Sequence, residues 1–266
     1  MRAKLGWKPG SPCRLTGGEP LTAHREDWRG RFHAGDGWAA YRGAAGENRL
    51  HAHTAMQLVL STDAATLRGP DGVDLAGRAL VARSGARHAL APTPDVLLVF
   101  LEPQSVAAKR ISDALGPEPL AALPPALAAL IDLDAPLPHC AAALVETPAR
   151  PAAEDPRLSA ALTFLARAEG ARPVARAAAD VGLSPARLRA LAHAQLGAPL
   201  STWLAWRRLH RAGDAMVEGA GLAEAAAAAG FVDQAHLGRD MRKILGITPG
   251  AAQRVMGPAQ AKRPRP

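Results

Sequence analysis

Apolar and polar positions alternate in short bursts through the first hundred residues. The segments "LHAHTAMQLVLST", "ATLRGPDGVDLAG", "RALVARSGARHAL" and "DVLLVFLEP" are short and partly alternating, with Gly, Pro and Asp between them. That period of two predicts strands. "RGPDGVD" (residues 68–74) predicts a hairpin turn, because Pro followed by Asp-Gly presets the dihedrals a tight reversal needs. Several short strands at this spacing predict a small barrel or sandwich over residues 1–103.

After Glu102 the texture changes. Residues 105–115 and 119–133 are rich in Ala and Leu, and helices are expected there, interrupted by prolines at 117, 119, 124 and 125. The whole of 104–146 is therefore expected to be a helical segment, with dimerisation as a candidate role. "TPARPAAEDP" (147–156) holds three prolines in ten residues, which predicts an exposed linker. From 157 to 256 the period is helical throughout. Helix starts are marked by Ser184-Pro185, Asp233 and Thr248-Pro249. Helix ends are marked by Gly182, Gly197, Gly230 and Gly246, since glycine takes the left-handed conformation that closes a helix. Residues 257–266 are expected to form a basic disordered tail.

The helical part contains a repeat. "DVGLSPARLRALAHAQLGAPL" (180–200) and "AAGFVDQAHLGRDMRKILGITP" (228–249) share a glycine and an apolar residue, a capping residue, and a helix with Leu in its second turn. Each closes on Leu-Gly and a nearby proline. A short helix is expected before each copy, at 174–181 and at 222–229. Short helix, glycine turn, capped second helix is a helix-turn-helix. The stretch between them, 200–218, reads as one helix of 19 residues, roughly 28 Å at about 1.5 Å per residue. That approaches the roughly 34 Å between successive major-groove faces on one side of B-DNA.

The helical wheel divides each second helix into two faces. In the later copy Leu237, Met241, Ile244 and Leu245 fall inward, while Arg239 and Ala235 point nearly opposite. His236, Gly238, Arg242 and Lys243 lie on the flanks, and Gln234 leads off the helix. In the earlier copy Leu188, Leu191 and Ala192 fall inward, with Ala186, Arg187, Arg189, Ala190 and His193 toward the exposed side. Gln234 and Arg239 carry the donor geometry that suits adenine and guanine edges, so the second copy is expected to read sequence and the first mainly to position. Gly238 costs about 1 kcal/mol relative to Ala inside a helix. Close approach of a phosphate backbone is one reason to keep it; tolerated surface variation is the other.

Charge sharpens this picture. Residues 1–156 hold 16 Lys and Arg against 17 Asp and Glu, a net −1, whereas residues 157–266 hold 16 against 7, a net +9. The tail accounts for only +3 of that. A neutral first part joined to a basic second part is the asymmetry expected when one domain meets a polyanion. Cys13 and Cys140 have no metal-type spacing and are expected to be free thiols in a reducing compartment. No apolar signal core follows the basic start, and "VLLVFL" (96–101) is too short to span a bilayer. A cytoplasmic protein without a membrane segment is expected.

On "AAAGFVDQAHLGRDMRKILGITPGAAQR" (227–254), and on "GLSPARLRALAHAQLG" (182–197) followed by "RRLHRA" (207–212), the chain resembles the AraC/XylS family of transcriptional regulators. The resemblance implies base-contact positions at Ala186, Arg189 and Ala190 in the first unit. In the second it implies Gln234, Ala235, His236, Gly238 and Arg239. Ala192 and Met241 stand where that family has a buried Phe. The first half is similar to the cupin-type sensor domain common in that family, through "HAHTAMQ" (51–57) and "GRALVARSGARH" (77–88), with Arg83 where proline is usual.

The fold class the resemblance implies is an all-β cupin-like barrel plus helices, followed by an all-α domain (157–256) with two helix-turn-helix motifs. The implied partners are double-stranded DNA, a small-molecule effector, a second copy of the chain and RNA polymerase. The implied activity is regulation, as activator or repressor, without catalysis. His51 and His53, two apart, would share one strand face. With His88 they would form a three-imidazole site suited to Zn, Fe, Ni or Cu. Gln57 stands in the place of the cupin glutamate. Three readings of His51, His53, Gln57 and His88 remain open here: a metal site, an effector pocket, and hydrogen-bonded structure. A metal-dependent cupin enzyme or a metal-sensing regulator is the alternative to a plain effector-responsive one.

Overall fold

Seven strands form one antiparallel sheet in the first half of the chain. In this computed structural model, which describes residues 28–35, 37–146, 155–167 and 173–256, the strands are β1 (Arg29–Gly35), β2 (Trp38–Ala45), β3 (Met56–Arg68), β4 (Asp74–Ala82), β5 (Ala89–Leu90), β6 (Thr93–Leu101) and, after helix α1 (Val106–Ala114), β7 (Leu120–Ala122). Their order is β1-β2-β6-β3-β4-β7, with β5 paired onto β3. The expected hairpin at 68–74 joins β3 to β4: Arg68 faces Asp74, the Gly69 amide donates to Val73 O at 3.0 Å, and Gly72 sits at φ +72°.

Both faces of this sheet are covered, which explains why β6 reads as a continuous apolar run. Along β6, Leu97, Val99 and Leu101 point to one core while Val96 and Leu98 point to the other. A register shift between Leu60 and Ala65 bends β3, so that its first part lies between β6 and β4 and its last residues pair with β5.

The first core lies under the segment after the sheet, and here the structure departs from the helical expectation for 104–146. Only α1 is a multi-turn helix; its N-cap is Ser105, whose side chain accepts from the Ala108 amide. Residues 120–122 are strand β7, paired with β4. Beyond them come the single turns α2 (Pro125–Ala128) and α3 (Ala142–Val145), with a 3-10 turn at Leu137–His139. Prolines deny the backbone donors a longer helix needs. Ile111, Leu123, Leu127, Ile131 and Leu144 are buried in the core on this face of the sheet, while Leu115, Leu130, Leu133 and Leu137 are only partly covered. Cys140 is a buried free thiol, pushed up from its ordinary pKa by burial. Cys13, the 147–154 part of the expected linker and the 257–266 tail lie outside the described residues.

The second half is helical as expected: α4 (Pro156–Arg167), α5 (Pro173–Asp180), α6 (Pro185–Leu196), α7 (Leu200–Val217), α8 (Leu222–Ala228), α9 (Gln234–Ile244) and α10 (Pro249–Met256). The start signals operate as read. Ser184 accepts from the Arg187 amide at 3.2 Å, Asp233 from the His236 amide at 2.6 Å, and Thr248 from the Ala251 amide at 3.2 Å. The four glycines marking ends lie between φ +67° and +75°.

Helix α7 is the wall between two cores. Trp203 and Leu200 pack with Leu158, Leu162, Leu188 and Leu196 on α4 and α6. Three residues after Trp203, Trp206 packs with Leu209, Phe231, Leu237, Met241 and Ile244 in the second core. One helix thus fixes both units to each other. Among the described residues no helix is long and apolar enough to cross a membrane.

Candidate nucleic-acid interface and sensor pocket

The two capped helices α6 and α9 present their polar faces outward. Ala186, Arg187, Arg189, Ala190 and His193 are all exposed on α6, while Leu188, Ala192 and Leu196 are buried beneath. Gln234, Ala235 and Arg239 are exposed on α9, over the buried Leu237, Met241 and Ile244. The 18 residues of α7 separate the two units by about 27 Å of helix.

Two positions differ from the sequence reading. Gly238 is buried, not exposed: a Cβ there would come 2.9 Å from Pro249 Cγ on α10. The glycine is therefore explained by helix packing, and no phosphate contact is needed to account for it. His236 is half-buried; its ring meets Phe231 edge-on at 5.2 Å and its Nε2 lies 3.8 Å from Asp240. It is partly engaged within the domain rather than wholly free for a partner.

The histidines expected to cluster do so, on loops rather than on a strand. His51 and His88 face each other across an isolated antiparallel bridge, each backbone amide donating to the other's carbonyl at 2.9 Å. His53 sits two residues on, and its ring centroid lies 5.1 Å from that of His88. All three are buried. Every Nδ1 lies against a backbone carbonyl: His51 to Arg49 O at 2.8 Å, His53 to Ala55 O at 2.8 Å and His88 to Ala86 O at 3.0 Å. A carbonyl can only accept, so each Nδ1 carries the proton and each Nε2 presents a lone pair.

The Nε2 atoms of His53 and His88 lie 3.0 and 3.1 Å from the Gln57 side-chain oxygen. Two lone pairs facing an amide oxygen repel. Either Gln57 is turned so that its NH2 donates to both rings, or a cation sits among them. One ring nitrogen from each histidine lies within 4.8 Å of the others. Three neutral imidazoles and an amide oxygen fit a divalent first-row metal. Burial holds all three rings neutral: His51 is lowered to about 3, with His53 adding to the effect, while His53 and His88 are lowered chiefly by the same desolvation.

This cluster adjoins the helical domain. The His53 ring lies 5.2 Å from Trp206 of α7, and Phe100 of β6 lies 5.9 Å from the same indole. Sequence reasoning missed Trp206 as a contact to the sheet domain, although two tryptophans three apart on one helix were a visible signal. The contact is fastened by an ion pair between the buried Glu102 and Arg207. The Ser84 hydroxyl sits 2.5 Å from Thr54 O and 2.6 Å from Leu196 O, and the Arg49 amide donates to Gly246 O at 3.1 Å. Gly246 cannot carry a side chain, since a Cβ would lie 2.6 Å from Arg49 O.

Between sheet and helices lies a mainly apolar cavity of about 80 Å3, bordered by Phe32, Tyr41, Leu98, Phe100, Trp206 and Val255, with His51, His53 and Gln57 at one side. Drug-sized ligands occupy roughly 300–1,000 Å3. A ligand of that size enters only by moving these walls.

Comparison with known proteins gives the same division. Residues 177–254 match the family model for a helix-turn-helix domain. No curated protein matches the chain. Among solved structures, ToxT from Vibrio cholerae O395 is 7% identical, with a TM-score of 0.54 over 84% of this chain and 99% of that one. ToxT from V. cholerae strain SCE256, with unsaturated fatty acid bound, is 10% identical, with a TM-score of 0.55 over 90% and 100%. At such identities the likeness is one of fold: a sheet domain followed by a helical domain with two helix-turn-helix units.

Proposed function

We propose that this chain, which carries an AraC-type helix-turn-helix domain at residues 177–254, is a sequence-specific DNA-binding regulator of transcription that answers to an effector. The observation that carries the reading is the pair of capped helices, α6 and α9, with exposed cationic faces and a shared spine, α7. The spine's length suits two successive major grooves. Arg239 and Gln234 read bases; Arg187, Arg189 and His193 engage phosphates. Arg239→Ala is expected to leave stability within about 0.5 kcal/mol of wild type, because the side chain is exposed. It should weaken binding to a selected duplex by about 1–3 kcal/mol. Fluorescence anisotropy against that duplex and its single-base variants measures the binding loss, and urea denaturation measures the stability. Equal weakening on every sequence would reassign Arg239 to the backbone, and no duplex binding by wild-type protein would sink the proposal.

The cavity beside Trp206 supports an effector-responsive mechanism. A crystal structure of ToxT contains an unsaturated fatty acid; here the apolar lining suits a ligand with an apolar body. Its entry displaces Phe100 and Trp206, and Trp206 lies on the helix that sets the spacing of the two units. Binding energy is thereby coupled to DNA geometry.

The lone-pair arrangement of the histidines favours a second reading, that the sensor holds a metal ion. His51, His53 and His88 would be its ligands with Gln57 beside them. Equilibrium dialysis against zinc is expected to give one ion per chain in wild-type protein and none in His53→Ala. A wild type that takes up no zinc would leave Gln57 as the partner of the His53 and His88 Nε2 atoms.

A further inference from the structure

The sensor domain carries two arginines that the DNA-binding reading does not use. A cleft of about 880 Å3 opens between α6, α9 and the sensor loops 49–53 and 85–87. Arg49 and Arg87 from the sensor, His193 from α6, and Arg239, Arg242 and Lys243 from α9 line it, and among the described residues no acidic side chain does. All six are exposed. Among the described residues neither Arg49 nor Arg87 makes a side-chain hydrogen bond or ion pair. The sensor's near-zero net charge concealed this local concentration of positive charge.

We infer that Arg49 and Arg87 form a phosphate-binding site of the sensor domain, which grips the DNA backbone between the two grooves occupied by α6 and α9. The inference rests on the proposed DNA-binding function. His193 of α6 and Arg239 of α9, both assigned above to DNA, line this one cleft, so a duplex that engages the two of them passes beside Arg49 and Arg87. Two successive major grooves are separated by a minor groove walled by phosphates, and phosphates are what an array of cations without carboxylates binds.

The loops are fastened to the helices they would assist. The Ser84 hydroxyl lies 2.6 Å from Leu196 O at the end of α6, sharing its one proton between that carbonyl and Thr54 O, and the Arg49 amide donates to Gly246 O at the end of α9. The backbone at Gly85 approaches so closely that a Cβ would lie 2.7 Å from Gly197 O. Arg49 and Arg87 are thus set in fixed register with the recognition helices. A change in how the sensor sits on α7 would move two phosphate contacts at once, which gives the effector a direct grip on affinity.

The test uses full-length protein and a duplex that it selects from a random-sequence pool, with the slope of log affinity against log salt as the readout. Replacing both arginines (Arg49→Gln with Arg87→Gln) should flatten the slope by about 1.8, at about 0.9 per phosphate contact. Between 50 and 200 mM salt that is about a 12-fold smaller loss of affinity. Base preference should be unchanged, and Arg78→Gln, on β4 away from the cleft, should keep the wild-type slope. A double variant with the wild-type slope and affinity would overturn the inference while leaving the regulator reading intact. Failure of wild-type protein to bind any duplex would remove both.

Discussion

Taking the metal-free protein from pH 7 to pH 5 should destabilise it by about 2 kcal/mol through His51 alone. Burial lowers this ring to about 3, so at pH 5 it stays neutral in the folded chain and is protonated in the unfolded one. The unfolded state therefore binds more protons below pH 6.5, and stability falls as pH falls through that value toward the folded pKa. His53 and His88 are lowered by the same desolvation and add in the same direction. Urea denaturation at a series of pH values, in chelator, measures the effect. A stability that is flat from pH 7 to 5 would mean the three rings are not buried together as neutral bases. Bound metal should sharpen the acid transition, since the ligands must then lose the ion as they gain protons.

Leu237→Ala should cost about 2–5 kcal/mol, the range for a buried Leu truncated in a packed core. Leu237 is fully buried among Trp206, Phe231, Met241 and Ile244, and neighbouring α10 is already close-packed, as the tight Gly238–Pro249 approach shows. Little collapse is available to offset the cavity. Thermal unfolding followed by circular dichroism checks this. The contrast with Arg239→Ala separates anchoring from contact on one helix. If Leu237→Ala unfolded no more easily than Arg239→Ala, the inward and outward faces of α9 would be misassigned.

Much of the helical domain was legible in the sequence because its signals are local. Ser184, Asp233 and Thr248 cap the helices that begin beside them, and Gly182, Gly197, Gly230 and Gly246 end the ones before. These bonds span only a few residues, so they can be read from spacing alone. The inward set on α9 comes from period in the same way. Gly238 was misplaced because its partner, Pro249, belongs to the next helix, and a helical wheel holds no information about neighbouring helices. Residues 119–133 were misread for a related reason. Their Ala and Leu content favours helix, but Leu120–Ala122 completes the sheet beside β4, and the helix that starts at Pro125 ends after a single turn. Strands β1 and β2, rich in Gly and Ala, lacked the β-branched residues that mark a strand. Sheet pairing, with Arg29 opposite Ala44 and Trp38 opposite Leu101, establishes them.

The sequence by itself determined the two helix-turn-helix units, their spine and their outward cationic faces, since each depends on contacts within one or two turns of chain. It also brought His51, His53, Gln57 and His88 under suspicion. Only the tertiary structure decided what surrounds them. The meeting of His53 with Trp206, of Glu102 with Arg207, and of Arg49 and Arg87 with α9 joins residues about a hundred or more positions apart. Such contacts are selected by the packing of whole domains, which no local period records.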